Sequence, residues 1–108
     1  MANTIESPVS SLGESFDVAL LDSARVFAVD VAADTTVKHT LGSTTTLITI
    51  AVGLDASAAA LTVVRGSSYD AAKAWPLMPG YFPFGVPGGS RDIHFNAAAD
   101  TVVYVMEN

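Results

Sequence analysis

Cysteine is absent from the 108 residues, so the chain can build no disulfide framework, no thiol nucleophile and no cysteine-ligated zinc module. Positive charge is almost as scarce. Five lysines and arginines stand against eleven aspartates and glutamates, a formal net charge of −6. The five cations, Arg25, Lys38, Arg65, Lys73 and Arg91, are scattered singly. Wrapping nucleic acid takes a concentrated basic surface, so no nucleic-acid partner is expected. Charge of either sign is sparse at 15%, and mean hydropathy is +0.42. That combination excludes a disordered, solvating chain.

Long apolar runs are missing too. The longest candidate, Leu47 to Val64, is broken by Gly53 and Asp55 and diluted by Thr49, Ser57 and Thr62, whereas a membrane span needs about 20 predominantly apolar residues. It reads as two strands and a turn, and no membrane partner is expected. Met1 to Ser15 carries neither a basic residue nor an apolar run of signal-peptide length. The expectation is synthesis in a cytoplasm without a signal peptide.

Catalytic signatures are the last absence. The sequence has no G-x-S-x-G elbow, no phosphate-binding glycine loop and no calcium-loop pattern. His39 and His94 are the only histidines, and spacing supplies them no third metal ligand. Asp30, Asp34, Asp55, Asp70, Asp92 and Asp100 fall mostly at strand ends, where aspartate forms turns. The expectation is therefore a protein that is not an enzyme, with no cofactor and no metal.

What is present is strand patterning on a chain long enough for one compact domain, which buries roughly 60–70% of its unfolded surface. Arg25 to Val31 alternates, with Phe27, Val29 and Val31 on one side. Thr35–Thr40 and Thr46–Val52, rich in β-branched residues, read as a hairpin about Leu41–Ser43. Ala60–Val64 is another strand. Asp70 can cap a single helical turn that Pro76 ends. Ile93–Phe95 and Thr101–Met106 read as a final strand pair. The steps Ala32–Val37 and Ala98–Val103 share a small-residue turn followed by Asp-Thr, a reuse of turn chemistry. A helix over Phe16–Ala33 is the rival to the first strand, opposed by β-branched density after Val26.

The expected fold is all-β, a small antiparallel β-sandwich or jelly roll of about six to eight short strands. Residues 16–108 would form this single domain, preceded by an extended N-terminal arm over residues 1–15. Ile48, Ile50 and Val52 have few charges beside them, so an edge strand there would invite pairing with a neighbour.

One segment is unusual. Trp75 to Gly89, WPLMPGYFPFGVPGG, holds four of the five prolines and four of the nine aromatics. Proline lacks an amide donor and fixes φ, so this segment is a rigid loop or an edge, never an interior strand. Its four aromatic rings represent on the order of 600–1,000 Å² of burial. Three readings are open: the loop folds as a lid over its own core, it meets another subunit, or it forms a groove for a proline-rich or carbohydrate partner. The candidate protein-interface residues are Trp75, Leu77, Met78, Tyr81, Phe82 and Phe84 of this segment, with Ile5, Pro8 and Val9 of the arm.

The closing residues, Val86-Pro87-Gly88-Gly89-Ser90-Arg91-Asp92-Ile93-His94-Phe95 and then Asp100-Thr101-Val102-Val103-Tyr104-Val105, resemble the ending of small tailed-phage virion proteins. The alanine- and threonine-rich, acidic, cysteine-free composition is similar to that of phage decoration, or cement, proteins. The resemblance covers about the last quarter of the chain. It implies a virion protein on the capsid exterior, a homo-oligomer with a trimer favoured, bound to the major capsid protein and stabilising the shell. The alternative is a receptor- or carbohydrate-binding module on a phage capsid or tail fibre.

Overall fold

The computed structural model describes residues 20–108. The expected arm, with Ile5, Pro8 and Val9, lies outside the described residues. Eight strands follow: β1 (Val26–Val31), β2 (Thr36–Thr40), β3 (Leu47–Val52), β4 (Thr62–Arg65), β5 (Trp75–Pro76), β6 (Gly80–Gly85), β7 (Asp92–Asn96) and β8 (Thr101–Glu107). A one-turn helix, α1 (Ala56–Ala59), stands between β3 and β4 where a plain turn was expected, and Ala60 ends it in the left-handed region at φ 48°. Asp70 caps a 3₁₀ turn over Ala71–Lys73 by accepting from Ala72 N at 3.0 Å. The rival helix fails from Val26 onward, because Val29 and Val31 bury themselves at strand spacing.

The strands form two antiparallel sheets, β1-β8-β3-β6 and β2-β7-β4-β5. The pairings β1–β8, β2–β7, β3–β6 and β4–β5 nest one inside the next. The contacts β3–β8 and β4–β7 complete the sheets. This is the winding of a jelly roll, one long antiparallel ribbon wrapped around a shared core. Phe95, Ile50, Leu61, Ile93, Val31, Val103 and Val105 are its most deeply buried large side chains.

Two expected hairpins are corrected. β2 and β3 do not pair; β2 lies against β7 and β3 between β8 and β6, in opposite sheets. β7 and β8 likewise belong to different sheets. Alternation shows which side of a strand is buried but not which strand lies beside it. The connections have buried anchors that carry the chain across: Leu41 and Thr45 in the first, Ala97 in the second. The two Asp-Thr turns meet at one end, where Asp100 Oδ1 accepts from Ala33 N at 2.8 Å and Asp34 N donates to Ala97 O at 2.8 Å.

The expectation that Ile48, Ile50 and Val52 mark an edge is also corrected. β3 is interior, and all three side chains are core residues. The proline-rich segment supplies one edge of each sheet instead, β5 in one and β6 in the other, with β2 and β1 at the opposite edges. Leu47 and Asn108 exchange backbone bonds in both directions, at 3.2 and 2.8 Å. Backbone direction alternates along a strand, so Ile48, Ile50 and Val52 turn their groups toward β6. Phe84 and Phe82 oppose Ile48 and Ile50, and Pro83 between them opposes Thr49. The nitrogen of Pro83 therefore faces the free side, where no donor is missed and none is offered to another strand.

Phe95→Ala should cost about 3–5 kcal/mol, the range for emptying a fully buried phenyl site. Tyr81→Ala, on the surface, should cost less than about 0.5 kcal/mol. Urea unfolding of both variants checks the difference, and comparable losses would mean that the core is misplaced.

Candidate functional site

The two sheets present very different outer faces. On the second sheet, Thr36, Lys38 and Thr40 of β2 point outward. Their neighbours His94 and Val64 are buried although they lie on the outer side. The segment after β4 covers them: His94 Nε2 meets Gly66 O at 2.9 Å, and the Tyr69 hydroxyl meets Thr62 Oγ1 at 2.8 Å.

Nothing comparable lies over the first sheet among the described residues. Its outward rows run Ala28–Tyr104–Ala51–Tyr81 and Val26–Met106–Thr49–Pro83. Asp30 at one end is the sole charged residue that β1, β8, β3 and β6 turn outward. Tyr81 is 80% exposed, Tyr104 50%, and Val26 and Val102 38% each. Near the middle, Thr49 Oγ1 is shielded and has no hydrogen-bond partner. A contiguous apolar sheet face of this kind marks a contact surface more often than a solvated one.

The candidate interface residues of the aromatic segment are divided. Phe82 and Phe84 turn inward, their rings stacked 6.4 Å apart, and pack against the core as a lid. Leu77, expected at an interface, is instead a core residue at 3% exposure, and its N–H donates to Leu61 O. Trp75, Met78 and Tyr81 remain exposed. Of these, Tyr81 belongs to the bare face. Alternation across β8 could have revealed Val102 and Tyr104, but only the partner strands show that β1, β3 and β6 extend the same surface.

At the opposite end from the two Asp-Thr turns, a buried carboxylate organises the crossing from β2 to β3. Glu107 Oε1 accepts from Thr45 Oγ1 at 2.6 Å and from Gly42 N at 2.7 Å. His39 Nε2 lies 3.0 Å from Oε2. Arg25 Nη2 donates to Thr45 Oγ1 at 2.7 Å, and Arg91 donates to the carbonyls of Gly42 and Thr45. Burial alone would push the Glu107 carboxyl up. The bonds from Thr45 and Gly42 and the neighbouring His39 outweigh it and hold the group below the usual glutamate value. The Thr45 hydroxyl bonds to the carboxylate and not to the imidazole. It fastens a loop.

His39 and His94 sit on paired strands one position out of register, Lys38 facing His94 and His39 facing Ile93. Their side chains consequently leave opposite faces. Among the described residues, no three histidine or carboxylate side chains converge as a metal site, and no helix is long and apolar enough to cross a membrane. No family model matches the chain, and no curated protein or solved structure matches it either.

A carboxyl held low contributes stability in full above its unfolded pKa and loses it as pH falls through the lowered native value. Glu107→Gln should therefore cost roughly 1.5–3 kcal/mol at neutral pH, the range for hydrogen bonds to a charged group. The gap to wild type should narrow on acidification below the ordinary glutamate range. Urea melts at pH 7 and pH 3 measure it, and a gap of equal size at both pH values would remove Glu107 from that role.

Proposed function

We propose that this chain is a structural attachment protein and not an enzyme: a decoration protein that sits on the outer surface of a viral shell and binds its major capsid protein. The observation that carries this reading is the outer face of the first sheet, apolar across four strands with a single aspartate at its end. A face that avoids charge while the whole chain carries −6 is suited to lie against another protein. The jelly roll is an architecture shared by viral capsid, lectin and cupin domains. Topology permits the reading without choosing it. The choice of a shell comes from the resemblance of the closing segment, and the trimeric form comes from the same source.

The acid excess suits a position outside the shell, facing away from packaged nucleic acid. The edge prolines, Pro76 and Pro83, steer contact away from strand addition and toward the sheet face. Residues of the aromatic segment contribute where they reach that face, through Tyr81.

A receptor- or glycan-binding role is the second reading, favoured by the exposure of Trp75 and Tyr81. The two separate in one experiment. Wild type, a Val102→Lys/Tyr104→Lys variant and a Thr36→Lys control on the other sheet are sedimented with shells of the cognate major capsid protein. The double variant should bind at least tenfold more weakly than wild type, while the control binds normally and all three melt alike. Undiminished binding by the double variant would dismiss the face as the attachment surface. Binding to a glycan array, lost in Tyr81→Ala, with no affinity for shells would replace the decoration role.

A further inference from the structure

The two sides of the sandwich close differently. On one, β1 and β2 lie side by side, and the Phe27 and His39 rings approach to 5.0 Å between centroids. On the other, β5 pairs only with Thr62 and Val63 of β4. The 3₁₀ turn capped by Asp70 takes up the residues before Trp75 and stops that strand there. Val64 and Arg65 are left with β7 on one side and no strand on the other, while β6 continues to Gly85 in the facing sheet.

A cavity of about 280 Å³ opens into the core at this gap. Ile48, Ile50 and Ile93, all buried, form its inner lining. Trp75, the only tryptophan of the chain, also lines it and is 60% exposed, which puts the indole at the rim.

Two of the five cations, Arg65 and Lys73, line the same cavity, and no aspartate or glutamate does. Neither cation forms an ion pair among the described residues. Arg65 donates Nε to Ser90 O and Nη2 to Pro87 O, which fixes the guanidinium without neutralising it. A chain of net charge −6 thus places positive charge at the entrance to an apolar cleft. Apolar walls with a few polar groups at one end are the composition of a small-molecule site that orients its ligand.

We propose that this cleft binds a medium-chain fatty acid, with the alkyl tail between the sheets and the carboxylate against Lys73 and Arg65. At roughly 30 Å³ for each water-sized group, the volume suits a tail of about eight to ten carbons. The carboxylate would supply the partner that the two cations lack, and the tail would fill space that the short β5 leaves open. The site lies in the gap between the sheets and not on the outer face assigned to attachment, so the fate of either assignment leaves the other standing.

The test is titration of the whole chain with decanoate below its micellar concentration, followed by Trp75 emission and by calorimetry. Decanol and decyltrimethylammonium serve as probes with the same tail and a different head. Decanoate should saturate at one per chain, decanol should bind at least tenfold more weakly, and the cationic probe should not saturate. Lys73→Glu, at an exposed position, should weaken decanoate at least tenfold and leave decanol unchanged. Val63→Phe should fill the cleft and abolish binding of both without lowering the melting temperature. Absence of saturable decanoate binding would overturn the site. Equal affinity for decanoate and decanol, or a Lys73→Glu variant that binds as wild type does, would overturn the role of the two cations and with it the proposal.

Discussion

Burial of one face of each sheet against the other is the condition on which the remaining structure depends. The chain satisfies it by changing sheets at every connection except the one from β4 to β5. Each strand thus pairs mainly with partners distant in sequence, and Phe95 and Val103, eight positions apart, meet the core from opposite sides. Once the inward set is fixed, the outward set follows, because successive side chains leave opposite faces. The bare face of the first sheet is in that sense a by-product of the core. Its composition is not. Outward positions of a solvated sheet are ordinarily polar, and here, Thr49 and Asp30 apart, the rows are valine, alanine, tyrosine, methionine and proline.

The scarce cations explain how the crossings hold. Arg25 and Arg91 both bind the segment between β2 and β3, one through the Thr45 hydroxyl and the other through backbone carbonyls. Arg65 ties down the connection before β7 in the same manner. None of the three forms an ion pair with a carboxylate among the described residues. The arginines act as multiple donors to backbone oxygens, a task for which their fixed fork of N–H groups is suited. Asp22, Asp30, Asp34, Asp55, Asp70 and Asp100 keep their charge at the surface, and the buried Glu107 is held by hydrogen bonds and His39 instead of by an arginine.

Much of the fold was legible in the sequence. Strand positions followed from the alternation of Val29 and Val31, of Ile48, Ile50 and Val52, and of Val103 and Val105. Prolines at 76 and 83 marked the edges because an interior strand needs every amide. The Asp70 cap was readable from a single side chain. Strand partners were not, since the nested pairing rests on contacts such as Val26 with Met106, which no local pattern encodes. The same gap hid the candidate face: Tyr81 stood out in the aromatic segment, but its row-mates Ala51, Tyr104 and Ala28 come from three other strands. Glu107 was readable only in part. It shares the inward alternation of Val103 and Val105, but its partners His39, Gly42 and Thr45 lie 62 to 68 positions away in sequence.

The edge strands shape the two surfaces that the fold leaves unfinished. Pro83 removes a donor from the edge of the first sheet, which discourages a further strand there and leaves the sheet's broad side as the surface able to meet a partner. The 3₁₀ turn over Ala71–Lys73 stops the edge strand of the second sheet at Trp75, and the missing length becomes the opening between the sheets. A longer β5 would close that opening and hide Trp75; a fully bonded β6 edge would compete with the sheet face for contacts. Both surfaces thus depend on how the segment from Asp70 to Gly85 supplies one edge to each sheet.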